Sequence, residues 1–329
     1  MSRFLHPDAQ AILTRLKKEG ITALYHFTNV ENLPRVCQMG ALYSKQILEE
    51  RGLLPSLVTG GNPLSHSLDR YQSNWDKVSL SFTPYTPMAY NRKRAQHLCF
   101  FLINPEVATQ LDVVFTDSNA TRNDHRRGHG LLGLNNVQFN VIHAIPFSVD
   151  DWHRFVQAEV LIPNFIPLTY VTEIGFVSSA SMNYAKYLCD SLPCPPLSVM
   201  PQIFTDSPKA SSRAIGFSYV HELMIGDTKE SKNMVYSTHT KENKFSRKIS
   251  DKIVIVATVR VITGMQAKIS LFDTVTNKER VVMDEELPRS NEYKHKCTIS
   301  LSGLPAGIFL VKYYLGGACW ASSSFEVVP

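Results

Sequence analysis

The stretch FVQAEVLIP, residues Phe155 to Pro163, decides how the chain is read. Its apolar residues are of the β-branched and aromatic kind that pack on sheets. Glu159 stands in the middle of the run. A carboxylate enters an apolar strand only with a partner or a task, because burying an isolated charge is costly. The pattern predicts a strand over 156–162. Alternation along it puts Gln157 and Glu159 on one face and Val156, Val160 and Ile162 on the other. The reading is therefore a carboxylate and an amide facing a cleft, with the branched aliphatics turned into the packed layer.

The frame around this strand is that of a folded protein. The chain has 329 residues, more than one hydrophobic core usually covers, so two domains are expected. With 44% apolar and 19% charged residues it falls among soluble globular chains, not disordered ones. The net charge of +5 permits an anionic partner without requiring one. The six cysteines read as reduced thiols, with Cys189 and Cys194 at a spacing that fits no zinc module. The N-terminal residues lack the apolar core of a signal peptide, and no apolar run reaches the roughly 20 residues that span a bilayer. The cytoplasm is the expected location, with no membrane partner.

Pro7, the apolar face of Ile12, Leu13 and Leu16, and Gly20 mark a first helix. A strand near 23–27 follows, then a helix that begins near Asn32 with Pro34 in its first turn and Gly40 at its end. Residues 52–75 read as a long loop with one helical turn near Asp69. Strands are expected at 77–83, 98–103, 112–116, 156–162 and 173–177, with weak helical propensity between them. This is an α+β domain with a mixed sheet over residues 1–212. The segment TDSPKASSR, 205–213, has linker composition. From 213 to 329 the sequence changes to alternating strands with Thr276-Asn277-Lys278, Gly-Pro and Gly-Gly turns, which predicts an all-β, immunoglobulin-like sandwich.

Several signatures fail on their context. Gly128-His129-Gly130-Leu131-Leu132-Gly133 has G-x-G-x-x-G spacing but follows TRNDHRR, which is not a strand, so it reads as a flexible glycine loop. His125 and His129 with Asp124 have metal-ligand chemistry, yet Arg126 and Arg127 between them repel a cation, so no metal is expected. There is no serine-hydrolase elbow and no P-loop. Asp117 and Glu159 have the residue types of a glycosidase pair, but nothing pairs them. Arg122, His125 and Arg126, and a second cluster of Arg92, Lys93 and Arg94, suit nucleic-acid phosphates or a solvated surface. His26 and Thr28 in Leu24-Tyr25-His26-Phe27-Thr28, with Asn32 beyond, either bind a ligand or, for the histidine, satisfy the backbone.

Four segments in order carry a resemblance. They are Tyr25-His26-Phe27-Thr28 with Asn32-Leu33, then Pro84-Tyr85-Thr86-Pro87-Met88-Ala89-Tyr90, then Phe115-Thr116-Asp117, and last Ala158-Glu159-Val160-Leu161. Together, over about residues 20–180, they resemble the DarT family of nucleic-acid ADP-ribosyltransferases. The resemblance implies an ADP-ribosyltransferase-like fold, NAD as co-substrate without a metal, and transfer of ADP-ribose to a base. It further implies a toxin of a toxin–antitoxin or anti-phage system, with single-stranded DNA or RNA and an antitoxin protein as partners. By the same resemblance Glu159 is catalytic, and Arg70, with Arg51 second, supplies the family's mobile arginine. His26, Thr28, Asn32, Met88, Tyr90 and Gln157 bind NAD. Asn119, Arg122, His125, Arg126 and Arg92 are assigned to the nucleic acid. The chain departs from the family at Tyr85, where members often carry arginine, and at Asn119, where some carry histidine. Those departures put the acceptor base in question. The alternatives are transfer to RNA or protein, a decayed binding module, and a β-sandwich adaptor.

Overall fold

The chain is described from a computed structural model, which covers residues 4–54, 57, 63–207, 215–227, 244–248 and 251–329. Contacts divide it into two compact units. One runs to Phe176 and resumes over Leu188–Ile215; the other comprises Val177–Tyr187 and Gly216–Pro329. The expected boundary at 212/213, most of the linker, and residues 55–56 and 58–62 of the long loop lie outside the described residues. Among the described residues no helix is long and apolar enough to cross a membrane.

The first unit opens with α1 (Ala9–Lys18), which buries Ile12 and Leu16. Strand β1 (Leu24–Asn29) leads through a 3-10 turn into α2 (Leu33–Met39), with Pro34 in its first turn and Gly40 closing it at φ 68°. Glycine suits that left-handed cap because a Cβ would be strained there. Short β2 (Ala41–Tyr43) precedes α3 (Lys45–Glu50), whose first turn is capped by the Ser44 hydroxyl accepting from the Ile47 N–H at 3.4 Å. Then come α4 (Pro63–Tyr71), β3 (Lys77–Ser81) and α5 (Pro87–Ala95). Strands β4 (Leu98–Ile103), β5 (Val114–Thr116) and β6 (Arg127–His129) follow. Helical turns α6 (Gly130–Leu134), α7 (Phe139–Ile142) and α8 (Trp152–Phe155) lead to β7 (Glu159–Pro163). The unit ends in β8 (Phe165–Pro167), β9 (Val171–Phe176) and, beyond α9 (Ser179–Leu188), β10 (Leu197–Val199).

Eight strands form one sheet in the order β10-β9-β4-β1-β3-β7-β5-β6. All pairs are antiparallel except β10 with β9, so the sheet is mixed, as expected. A doubly wound nucleotide fold needs a mostly parallel sheet, and this order excludes it. β4 lies near the centre, and Leu98, Cys99, Phe100, Phe101 and Ile103 are buried along it. That continuous apolar run is what a strand covered on both faces requires.

Four readings are corrected. Residues 155–158 are not strand: Phe155 closes α8, Val156 packs with Val141 and Trp152 in a separate apolar cluster, and β7 starts at Glu159. The loop before β3 contains α4, a nine-residue helix instead of one turn. The stretch after Thr86, expected to have weak helical propensity, is also helical, because Thr86 caps α5 by accepting from the Ala89 N–H at 3.3 Å and Pro87 occupies its first turn. The G-x-G-x-x-G segment is ordered, since Gly128 lies in β6 and Gly133 in α6. A Cβ on Gly133 would stand 2.2 Å from the Gly128 carbonyl oxygen. These glycines serve a close approach of backbone to backbone, not a phosphate.

Among its described residues the second unit is β apart from α9 and a 3-10 turn at Leu301–Gly303. Strands β11 (Tyr219–Asp227), β13 (Lys252–Val261) and β16 (Ser290–Ser300) form a three-stranded sheet. β12 (Lys244–Ser246), β14 (Met265–Asp273), β15 (Lys278–Leu287), β17 (Gly307–Leu315) and β18 (Ala318–Val328) form a five-stranded one. Asn277 takes φ 54° in the β14–β15 turn, and Gly316 and Gly317 take φ 59° and 84° between β17 and β18. These are the turns read from the sequence.

Candidate active site

β7 is held between β3 and β5, and the register places Glu159 opposite Ser81 on one side and Thr116 on the other. The Glu159 N–H donates to the Thr116 hydroxyl at 3.2 Å. Its carboxylate Oε2 accepts from the Ala120 N–H at 3.0 Å, across the loop that follows β5. The side chain opens into a pocket walled by β1, β3, α3 and the 119–121 loop. Burial pushes its pKa up to about 7, an effect that Asp69 reinforces and that Ala120, Ser79 and Lys45 only partly oppose. The group thus changes charge near neutral pH while its Oε2 keeps the Ala120 hydrogen bond.

His26 shares the pocket and its Nδ1 lies 3.0 Å from the Ser79 carbonyl oxygen. A carbonyl only accepts, so Nδ1 carries the proton. Burial lowers the pKa of the imidazole, which keeps it neutral and leaves Nε2 as an acceptor. Thr28 and Asn32 form the adjoining wall, with the Asn32 amide donating to Thr28 Oγ1 at 2.9 Å. The histidine thus satisfies backbone through one nitrogen and also lines the pocket.

Met88, Asn119 and Gln157 also line the pocket. Asn119 Oδ1 accepts from the N–H of Thr121 at 2.9 Å, which folds the loop that presents the Ala120 N–H to Glu159. Gln157 reaches the pocket from the turn before β7, its amide anchored to the His153 carbonyl at 2.7 Å. It and Glu159 are neighbours in the site, although strand alternation is not the cause.

The structure does not bring Arg70, Tyr90, Arg92, Arg122, His125 or Arg126 into the pocket wall. Arg70 points away from it: the guanidinium lies 3.8 Å from the Trp75 ring and donates to both oxygens of Glu49, at 2.7 and 2.9 Å. Arg51 stacks on Tyr43. Tyr90 is taken up by Arg94, which hydrogen-bonds its hydroxyl and covers its ring. Arg122 pairs with Asp124, which also meets Arg154, and His125 Nδ1 bonds the Arg122 carbonyl. His129 Nδ1 bonds the Val113 carbonyl, and among the described residues His125, His129 and Asp124 do not bring their ligand atoms together. Asp117 accepts from Ser118 Oγ and the Arg126 N–H and orders its own loop. Lys93 is buried, not part of a basic surface. It donates to the carbonyls of Ile203 and Thr205 at 3.2 and 3.3 Å, and burial lowers its pKa to about 8.

The sequence reading missed Lys45, Asp69, Ser79 and Ser81, all of which line the pocket. Lys45 Nζ contacts Asp69 Oδ2 at 2.5 Å, which sets a cation–carboxylate pair beside the His26–Glu159 end. Ser79 and Ser81 were legible, since the alternation in Lys77-Val78-Ser79-Leu80-Ser81 turns them to one face while Val78 and Leu80 are buried. Lys45 follows the helix cap Ser44 and looks like any first-turn residue.

A protein-family model described as "ssDNA thymidine ADP-ribosyltransferase, DarT" matches residues 25–205, more than half of the chain. Among solved structures, Thermus sp. 2.9 DarT in complex with NAD+ is 18% identical with a TM-score of 0.44, covering 56% of this chain and 97% of that one. Thermus sp. 2.9 DarT in complex with ADP-ribosylated ssDNA is 17% identical with a TM-score of 0.45, covering 61% and 99%. Thermosipho africanus DarTG in complex with ADP-ribose is 20% identical with a TM-score of 0.46, covering 55% and 50%. No curated protein matches.

The raised pKa of Glu159 has a consequence for stability. A carboxyl that titrates near 7 in the fold and near 4.5 when unfolded contributes stability below pH 4.5 and loses it as pH rises through 7. Above pH 7 the ionised form costs up to about 3 kcal/mol, at roughly 1.4 kcal/mol per pH unit. Glu159→Gln, which keeps an acceptor for Ala120, should therefore melt higher than the parent at pH 8. The gap should close as the pH falls below 5, as thermal melts across pH will show.

Proposed function

The chain belongs to the DarT family of ssDNA thymidine ADP-ribosyltransferases, and from that premise we propose that it transfers the ADP-ribosyl group of NAD to a thymine base of single-stranded DNA. The observation that carries the reading is Glu159, a half-buried carboxylate with a single backbone partner and a pKa of about 7, facing a pocket with a neutral histidine. NAD supplies the ADP-ribosyl group and the nicotinamide leaving group. Positive charge develops on the ribose as nicotinamide departs, and the Glu159 carboxylate stabilises charge of that sign. A base nitrogen that attacks must lose a proton. Glu159 Oε1 accepts it, since Oε2 is held by Ala120 and a base with a pKa near the working pH is well matched to the task.

His26 Nε2, Thr28 and Asn32 form the polar wall that holds the NAD ribose and amide groups. Lys45, in the pocket but paired with Asp69, takes the role of the site cation in place of Arg70, whose charge is met by Glu49. Gln157 and Met88 complete the walls. Arg126 continues from the 119–121 loop and offers charge to the DNA backbone, beside His125 and the Arg122–Asp124 pair. The transferase is assigned to residues 1–212 and an accessory role to 213–329; the two compact units support a division near residue 215, with Val177–Tyr187 grouping with the second unit. A toxin restrained by an antitoxin protein, acting on DNA in the cytoplasm, follows from the family resemblance.

Labelled NAD offered separately to single-stranded DNA, RNA and protein tests the reading. Label should appear on thymine-containing DNA and fall by about 10²–10⁴-fold in Glu159→Gln. Label confined to RNA or protein would overturn the acceptor, and full activity of the variant would overturn the catalytic residue. In the parent, kcat/KM should rise with pH up to about 7 and level above it, because the ionised carboxylate is the active form.

The two cations separate in the same assay. Lys45→Met should lower kcat/KM by about tenfold or more, the scale of one lost interaction in a shielded site. Arg70→Met should change it by less than about threefold, as expected for a half-exposed surface pair. The reverse order would return the cation's role to Arg70.

A further inference from the structure

Three of the six cysteines meet. Cys37 lies in α2, while Cys189 and Cys194 flank the turn between α9 and β10. Their sulfur atoms all lie within 4.8 Å of one another, although Cys37 and Cys194 are 157 positions apart. Cys37 and Cys189 are buried and Cys194 is half-buried. None of the three is in a disulfide.

Buried thiols often do no more than fill space. Such filling does not call for three of them in mutual contact at the meeting of two remote segments. A redox pair needs two sulfurs, and the buried Cys37 and Cys189 are shielded from the bulky thiols that exchange with disulfides. Three convergent thiols in a reducing environment are the donor set of a thiophilic metal. We infer that Cys37, Cys189 and Cys194 form a binding site for one thiophilic divalent ion of the zinc class.

Zinc–sulfur bonds of about 2.3 Å set ligand sulfurs about 3.8 Å apart around a tetrahedral ion. The Cys37–Cys194 pair stands at 2.6 Å, so ligation draws these two apart by about 1 Å. Cys194, on the half-buried turn, is the one with room to move. The fourth position is left to solvent. Binding releases three thiol protons and leaves a site of net charge minus one, with no electron transferred. The ion ties the 189–194 turn to α2, which begins directly after Asn32 of the pocket wall.

The test is elemental analysis of the full chain, purified with reductant and without chelator, and after reconstitution with zinc. About one zinc per chain is expected, falling below about a tenth in Cys37→Ser and in Cys189→Ser and retained in Cys297→Ser. Circular dichroism of each variant reports whether it has folded. Cobalt substitution of the unaltered chain needs no variant, and it should give thiolate-to-cobalt charge-transfer absorption in the near ultraviolet. Zinc retained by a folded Cys37→Ser, or no metal and no cobalt band in the reconstituted parent, would overturn the site. A Cys37–Cys194 disulfide found by mass spectrometry in the reduced-purified chain would do the same, in favour of a redox pair.

Discussion

The arrangement turns on the strand ladder that sets β7 between β3 and β5. It pins Glu159 opposite Ser81 and Thr116, and the loop after β5 supplies one N–H to one carboxylate oxygen. That is too little to pay for desolvating a full negative charge. The carboxyl therefore takes up protons near neutrality instead of at the usual acid range. The other oxygen faces a pocket built from the same ladder. A fully satisfied carboxylate would stabilise the fold more and be a poorer base.

The surrounding residues preserve that balance. Lys45 lowers the cost of ionising Glu159, yet Asp69, bonded to Lys45, raises it. The net field at the carboxylate is small, so burial dominates. His26 is held neutral by burial, with its Nδ1 proton directed at a carbonyl oxygen, so the pocket contains an acceptor instead of a second cation. A cationic imidazole would pull the Glu159 pKa down and weaken it as a base.

Much of this was legible in the sequence. The strands at 77–81 and 98–103, the α2 boundaries at Pro34 and Gly40, and the β-rich second half follow from periodicity and turn chemistry. Glu159 stood out because a carboxylate interrupted an apolar run. Its neighbourhood was misjudged for a physical reason. Val156 looks like a strand residue but packs with Trp152 in a helical turn, and tertiary contacts overrode local propensity. Cationic residues were the least legible. Charge alone does not say whether a side chain is drawn onto a tryptophan and a glutamate, as Arg70 is, or buried against carbonyls, as Lys93 is. Lys45 enters the site through the direction of a six-residue helix, which no local pattern encodes.

The fold holds the Glu159 carboxyl poised near neutral pH. Carbon-13 NMR of carboxyl-labelled glutamate, with Glu159→Gln supplying the assignment, measures this directly. The Glu159 resonance should titrate at about 7. A midpoint near the ordinary value of 4.5 would contradict it.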